Sequence, residues 1–267
     1  MVSALFFSLD SWQLGLVVFA IVGGASLIGV LVGRHLRGHL DPYREGIGAL
    51  QGALLGLVGL ILAFALTLAV GRYQDRRADV VTDANTIGTA YLRAQTLAEP
   101  QRTRSLALLR TYNDLAIRLT YEIPGTASLR ATSIEQGTIQ QTLWRLGGEA
   151  INARPRDSAP RLYIDSLNEM IDQQGVRLAG LNNHPPNEVL LLELIGAGLA
   201  LGMLALYVSI IGRGLLPVIL AAVVVTFLIL VTFDLDRPTR GLIKIPTAPL
   251  LAEKATMTLP PAAPAPR

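Results

Sequence analysis

The chain has 267 residues, of which 51% are hydrophobic and only 16% are charged, and its formal net charge at pH 7 is +3. A soluble domain carries about 25% charged residues, so this composition indicates a membrane protein. The absence of cysteine from the sequence excludes disulfides, thiolate metal sites and a cysteine nucleophile. Basic residues form no stripe interleaved with aromatic side chains, and we therefore expect no binding to nucleic acid.

Four long apolar runs account for the low content of charge. They comprise residues 12–33, 48–71, 189–212 and 215–233. Each is close to the ~20 residues that cross the ~30 Å hydrocarbon core of a lipid bilayer as a helix. The links within the first and the last pair are short. The predicted fold class is therefore all-α, with four transmembrane helices in two hairpins and a helical extramembrane insert, residues 72–188, between spans two and three.

The insert shows helical periodicity throughout. No proline or turn cluster separates the second span from the insert, so we predict one helix from residue 48 to about residue 98, before Pro100. Further helices are expected at residues 101–122, 129–153 and 160–181. Three acids in the last of these are predicted to form a solvated face that pairs with neighbouring arginines. The acids are Asp165, Glu169 and Asp172, and the arginines are Arg161 and Arg177.

Topology follows from the span count and from the flanking charges. An even number of spans places both termini and the insert on one side of the membrane. Basic residues that flank the spans on that side outnumber those in the opposite links by six to four, so the positive-inside rule favours a cytoplasmic insert. The proline- and alanine-rich residues 246–267 are predicted to be a disordered tail.

The second span contains glycines at a spacing of four residues, Gly48, Gly52 and Gly56. Small residues at that spacing let helix backbones approach closely, so we predict that these glycines mediate helix packing. Glu193, inside the third span, is a carboxylate that is either functional or paired near the interface.

The same row of the second span continues through Leu60, Phe64 and Leu68 to Arg72 at the exit. If several copies of the helix surrounded an axis, these apolar residues would form a pore neck, and Arg72 and Arg76 a charged ring at the pore exit. Packing within one subunit is the alternative, and periodicity alone favours it.

The fourth span ends in FDLDRPTRG, residues 233–241, where four charges follow one another closely. Two carboxylates are too few for a calcium site, which takes six to eight oxygens. No catalytic motif occurs in the chain, so we predict no enzyme, no cofactor and no metal. Pro238 is expected to end the helix. We predict an inter-helix clasp, in which Asp234 or Asp236 pairs with Arg72, Arg76 or Arg77, and Arg237 or Arg240 pairs with Asp75 or Asp79.

Three segments resemble the bestrophin-like family of bacterial membrane proteins, a domain of unknown function. They are GRYQDRRADVVTDANTIGTAYLR after the second span, LNEMID before the third and FDLDRPTRGLI after the fourth. Bestrophins are pentameric ion channels with four spans, cytosolic termini, a cytosolic helical region and a narrow apolar neck on the second helix. The resemblance implies a homo-oligomer, a pentamer by analogy, that conducts inorganic ions across the bacterial inner (plasma) membrane.

A different kind of function is also open at this point. A non-conducting, membrane-anchored protein that uses its helical insert for interaction or sensing needs the same four spans but no pore. A dry, fully packed second helix would favour this alternative, whereas a water-accessible axis would favour the channel.

Overall fold

The computed structural model describes residues 9–237 and 239–262, and these residues contain helices and no strand. Pro238 and the end of the predicted tail lie outside the described residues. The main helices are α1 (Ser11–His35), α2 (Arg44–Ala94), α3 (Gln101–Leu119), α4 (Ala127–Ala153), α5 (Ala159–Asn182), α6 (Asn187–Ile210), α7 (Leu216–Leu235) and α8 (Ala248–Thr256). A short helical turn and a 3-10 turn connect α1 with α2.

The predicted all-helical class is confirmed, and four of the helices are long and apolar enough to cross a membrane. The second of them, α2, is a single helix of 51 residues. It ends at Ala94 and not near residue 98, because the backbone amides of the next three residues bond three positions back, to Leu92, Arg93 and Ala94. This tightening closes the last turn before Pro100.

The chain divides into two compact units. The first comprises Met1–Arg72 and His184–Lys244, and contains α1, α6, α7 and the apolar part of α2. Its core consists of apolar side chains from all four helices, including Val18, Val22, Leu62, Leu201 and Phe233, each at most 1% exposed. The outer faces of these helices carry large exposed apolar side chains, as expected of a surface that meets lipid.

Close packing between α1 and α6 depends on glycine. A Cβ atom added at Gly29 would collide with the backbone oxygen of Gly202, and one added at Gly33 would lie 2.7 Å from the backbone oxygen of Leu206. Both pairs of helical glycines, 29 with 33 and 198 with 202, are four residues apart. The helices therefore approach through small-residue faces, as membrane helices commonly do.

The second unit comprises Tyr73–Asn183 and Ile245–Arg267. It contains the remainder of α2 together with α3, α4, α5 and α8. Buried side chains from all five of these helices form its core, among them the fully buried Ile87, Leu109, Leu143, Met170 and Leu250. This unit therefore has a hydrophobic core of its own.

Part of the predicted disordered tail is ordered. Helix α8 lies within residues 246–267, and Leu250 and Met257 are buried at 0 and 1% exposure. Asn113 Nδ2 donates to the carbonyl of Leu250 at 3.1 Å, and Tyr91 Oη donates to that of Met257 at 3.0 Å. Composition indicated disorder, but two apolar anchors and these bonds offset the entropy of ordering the segment.

Arg177 is not part of a solvated face. Its Nη1 lies 2.5 Å from Asp83 Oδ2, and the two side chains are 3% and 2% exposed. Nη2 also donates to the carbonyl of Ala116 at 2.9 Å. Of the acids on α5, Asp165 pairs with Arg93 at 3.4 Å. Arg177 therefore holds α5 against two helices of the second unit, α2 and α3.

Candidate functional site

The end of α7 places three charged side chains in the interior of the first unit. Asp234, Asp236 and Arg237 are only 7, 1 and 1% exposed. A buried charge is stable only when it has charged or hydrogen-bonding partners. Together with Ser11 and Arg72, which contact them, these residues are called the exit cluster below.

Asp236 pairs with Arg72 of α2. Arg72 Nε lies 2.6 Å from Asp236 Oδ1, and Nη2 lies 2.8 Å from Oδ2. Two parallel bonds from a guanidinium to a carboxylate give both strength and a fixed orientation. This pair, one of the combinations named from the sequence, fastens α2 to the end of α7.

Asp234 organises the backbone that follows α7. Its Oδ1 accepts from Ser11 Oγ and from the amide of Leu242, and its Oδ2 accepts from the amide of Ile243, each at 2.8 Å. A Cβ atom at Gly241 would lie 2.7 Å from the carbonyl oxygen of Asp234. Only glycine leaves room for the backbone after α7 to pass this close to Asp234. The bond from Ser11 to the same carboxylate connects the end of α7 to the start of α1.

Arg237 completes the cluster on the side of the N-terminal segment. Its Nη2 donates to the carbonyl of Leu9. Burial lowers the pKa of Arg237, and the nearby carboxylate of Asp234 opposes that shift. The neighbouring Arg240 is exposed, and its carbonyl accepts from Ser11 Oγ at 3.4 Å.

The remaining clasp residues lie in the second unit. Arg76 is 4% exposed and donates from Nε to the carbonyl of Gly180 at 3.0 Å and from Nη2 to that of Asn183. It therefore gives a side-chain donor to two carbonyls at the C-terminal end of α5, where few backbone donors remain, and the carbonyl of Gly180 also accepts from the amide of Asn183 at 3.3 Å. Asp75 and Arg77 are exposed on α2. The predicted pairing of Arg237 or Arg240 with Asp75 or Asp79 stays a prediction.

The apolar row on α2 is uncovered within the chain. Leu60, Phe64 and Leu68 are 54, 62 and 61% exposed. The glycine row that precedes it has mixed surroundings. A Cβ atom at Gly48 would lie 2.9 Å from the ring of Tyr207, whereas nothing lies within 4 Å of one at Gly52 or Gly56.

The sequence analysis did not predict the glycine contacts between α1 and α6, although the spacing of the glycines indicates them. Four-residue glycine spacing occurs in α1 and α6 as well as in α2, and in α1 and α6 it marks the face of closest approach. Gly241 lies inside the FDLDRPTRG motif, where its role as a close-approach residue was not foreseen. Ser11 carries no comparable signal, because its partner Asp234 is 223 positions away.

Comparison with known proteins identifies the family of the chain. No curated protein matches it. Two structures of a bacterial bestrophin homolog from Klebsiella pneumoniae, each with one mutation, share its fold, with TM-scores of 0.59 and 0.58. Their sequences are 14 and 15% identical to this one, and the matches cover 88% of this chain and 97 and 96% of theirs. The model of the bestrophin-like domain matches residues 18–250. This chain therefore belongs to the bestrophin-like domain family.

Proposed function

We propose that the chain assembles with copies of itself into an ion channel of the bacterial inner membrane, with α2 lining the pore. The bestrophin resemblance supports this proposal, since in bestrophins the second of four spans lines the pore, and it implies a pentamer. In the proposed topology the spans form two hairpins. The insert, residues 72–188, and both termini are cytoplasmic, as the flanking positive charges favour.

The observation that carries the proposal is the low burial of α2. On the apolar part of α2, Leu57, Leu60, Phe64 and Leu68 are 55, 54, 62 and 61% exposed within the chain. A face that the protomer itself leaves open is available to neighbouring copies and to a pore. Together with the bestrophin resemblance, in which the second span lines the pore, this exposure supports placing α2 at the centre of the proposed assembly.

Glycines on α2 support close assembly. Gly52 and Gly56 have open space where a side chain would lie. In the proposed oligomer this space admits the backbone of a neighbouring helix, because small residues four apart allow helices to approach closely.

Leu60, Phe64 and Leu68 form the neck in this proposal. Three apolar side chains on successive turns, repeated around an axis, make a constriction that water leaves readily. Such a neck controls ion flow by dewetting. Phe64, the largest of the three, is expected to set its narrowest point.

Conductance of the purified protein in planar bilayers tests this function. Phe64→Ala should widen the neck and raise conductance or alter gating. Phe227→Ala is the matched control, because Phe227 on α7 is exposed to a similar extent, 67% against 62% for Phe64, but lies outside the proposed neck. We expect currents of Phe227→Ala to equal those of the unmodified protein.

Two outcomes would contradict the proposal. A monomer without currents would exclude the channel. An oligomer that carries no current would favour the alternative, a membrane-anchored protein that acts through its helical insert.

A further inference from the structure

Glu193 is an ionisable residue of the apolar helix α6 (Asn187–Ile210), between one and two turns from the start of that helix. It is 3% exposed, and its Oε2 has no hydrogen-bond partner among the described residues. A carboxylate deprived of water and of a partner is costly, whereas its neutral form costs far less. Ionisable residues inside membrane spans are rare and commonly functional.

The charged groups that act on Glu193 come from two neighbouring helices. They are Arg72 of α2 and Asp236 at the end of α7. The other packed surfaces contribute none, since residues 11–33 of α1 and 216–233 of α7 contain no ionisable side chain. The guanidinium of Arg72 therefore attracts the carboxyl groups of both Asp236 and Glu193.

In the structure, Arg72 is bonded to only one of these two carboxyl groups. Both of its bonds go to Asp236, at 2.6 and 2.8 Å. With Glu193 neutral, the three side chains sum to zero charge. With Glu193 ionised, they sum to −1, and the new carboxylate attracts the same guanidinium.

We propose that Glu193 is a proton-binding site, and that its carboxylate, once the proton has left, competes with Asp236 for Arg72. Deprotonation breaks the O–H bond of the Glu193 carboxyl group and releases the proton to water, and no other covalent bond changes. Because the Arg72–Asp236 pair fastens α2 to the end of α7, proton binding at Glu193 stabilises that attachment. This inference goes beyond conduction and holds whether or not the protein passes ions.

Infrared difference spectroscopy of the purified protein across a pH titration tests the site. A neutral buried carboxyl group without a hydrogen bond absorbs at higher frequency than exposed carboxyl groups, and its band shifts in D₂O. We expect this band to disappear on deprotonation and to be absent from Glu193→Gln. The control Glu188→Gln, at an exposed position of the same helix, should retain it, and Glu193→Asp should restore it. Persistence of the band in Glu193→Gln would overturn the proposal.

A second measurement tests the competition. In Asp236→Asn, Arg72 loses its charged partner and can pair with the Glu193 carboxylate. The pH at the midpoint of the Glu193 titration should therefore fall by about one unit or more. Arg72→Gln removes the cation and should move the midpoint the opposite way, which gives a second reading if Asp236→Asn does not fold. Unchanged midpoints would show that Glu193 is independent of the pair. Neither measurement requires ion flow. A negative result would therefore refute the proton-binding site without bearing on the proposed channel.

Discussion

The three hydrogen bonds of Asp234 predict a graded series of stabilities. Ser11→Ala removes one bond and leaves the two backbone bonds intact. Asp234→Asn retains one oxygen, which can still accept from Ser11 and Leu242, but places an amide donor against the amide of Ile243. Asp234→Ala removes all three bonds and leaves two backbone amides without an acceptor.

Magnitudes follow from the type of bond. A bond to a charged acceptor contributes about 1.5–3 kcal/mol, and a buried donor left without a partner costs about 1–3 kcal/mol. The expected losses of stability are about 2 kcal/mol for Ser11→Ala, about 3 kcal/mol for Asp234→Asn and about 5 kcal/mol for Asp234→Ala. For a chain of this size about 1 kcal/mol lowers the melting temperature by about 2–4 °C. Asp234→Asn should therefore melt about 6–12 °C lower.

Thermal unfolding of the purified protein in one detergent, at one scan rate and concentration, measures the series. Asp75→Asn is the control, because Asp75 is exposed, and we expect it to melt with the unmodified protein. The order of the melting temperatures is the critical result. Asp234→Asn that melts together with Asp75→Asn would refute the view that this carboxylate holds the end of α7 to α1.

Two further predictions concern packing and topology. Gly29→Ala should cost about 1–3 kcal/mol by forcing α1 away from the backbone of Gly202, whereas Gly24→Ala on the same helix, where a Cβ atom meets nothing within 4 Å, should be neutral or stabilising in the same melting assay. Since the chain has no cysteine, an impermeant maleimide on intact cells should label His39→Cys in the first link and should label Thr138→Cys in the insert only after lysis, and the reverse pattern would invert the proposed topology.

The helices could be predicted from the sequence because their signals are local. Long apolar runs, helical periodicity and the break before Pro100 each involve residues that are close in the chain. The glycines show where such reasoning stops. Four-residue spacing marks a face that can approach another helix, but it does not name that helix. Gly33 meets the backbone of Leu206, which lies far along the chain, while Gly52 and Gly56 meet nothing within it.

Buried charges were harder to predict for the same reason. Arg177 lies on a helix rich in acids, and local pattern placed it on a solvated face. Its partner Asp83 is 94 positions away, and their burial depends on three helices coming together. The exit cluster was more accessible to prediction, because its carboxylates directly follow an apolar span and must find partners where the span ends.

The contacts of Arg72 and Arg76 bear on what the proposed pore can use to control ions. A charged ring requires guanidinium groups that face the ion path. Arg72 directs two donors to Asp236, which neutralises it, and Arg76 is 4% exposed and donates to carbonyls at the end of α5. The apolar row, by contrast, is not covered by other parts of the protomer, since more than half of each side chain is exposed in Leu60, Phe64 and Leu68. We therefore expect the apolar row, and not the two arginines, to control ion flow in the proposed channel. The contacts of Arg72 and Arg76 hold α2 against neighbouring parts of the protomer.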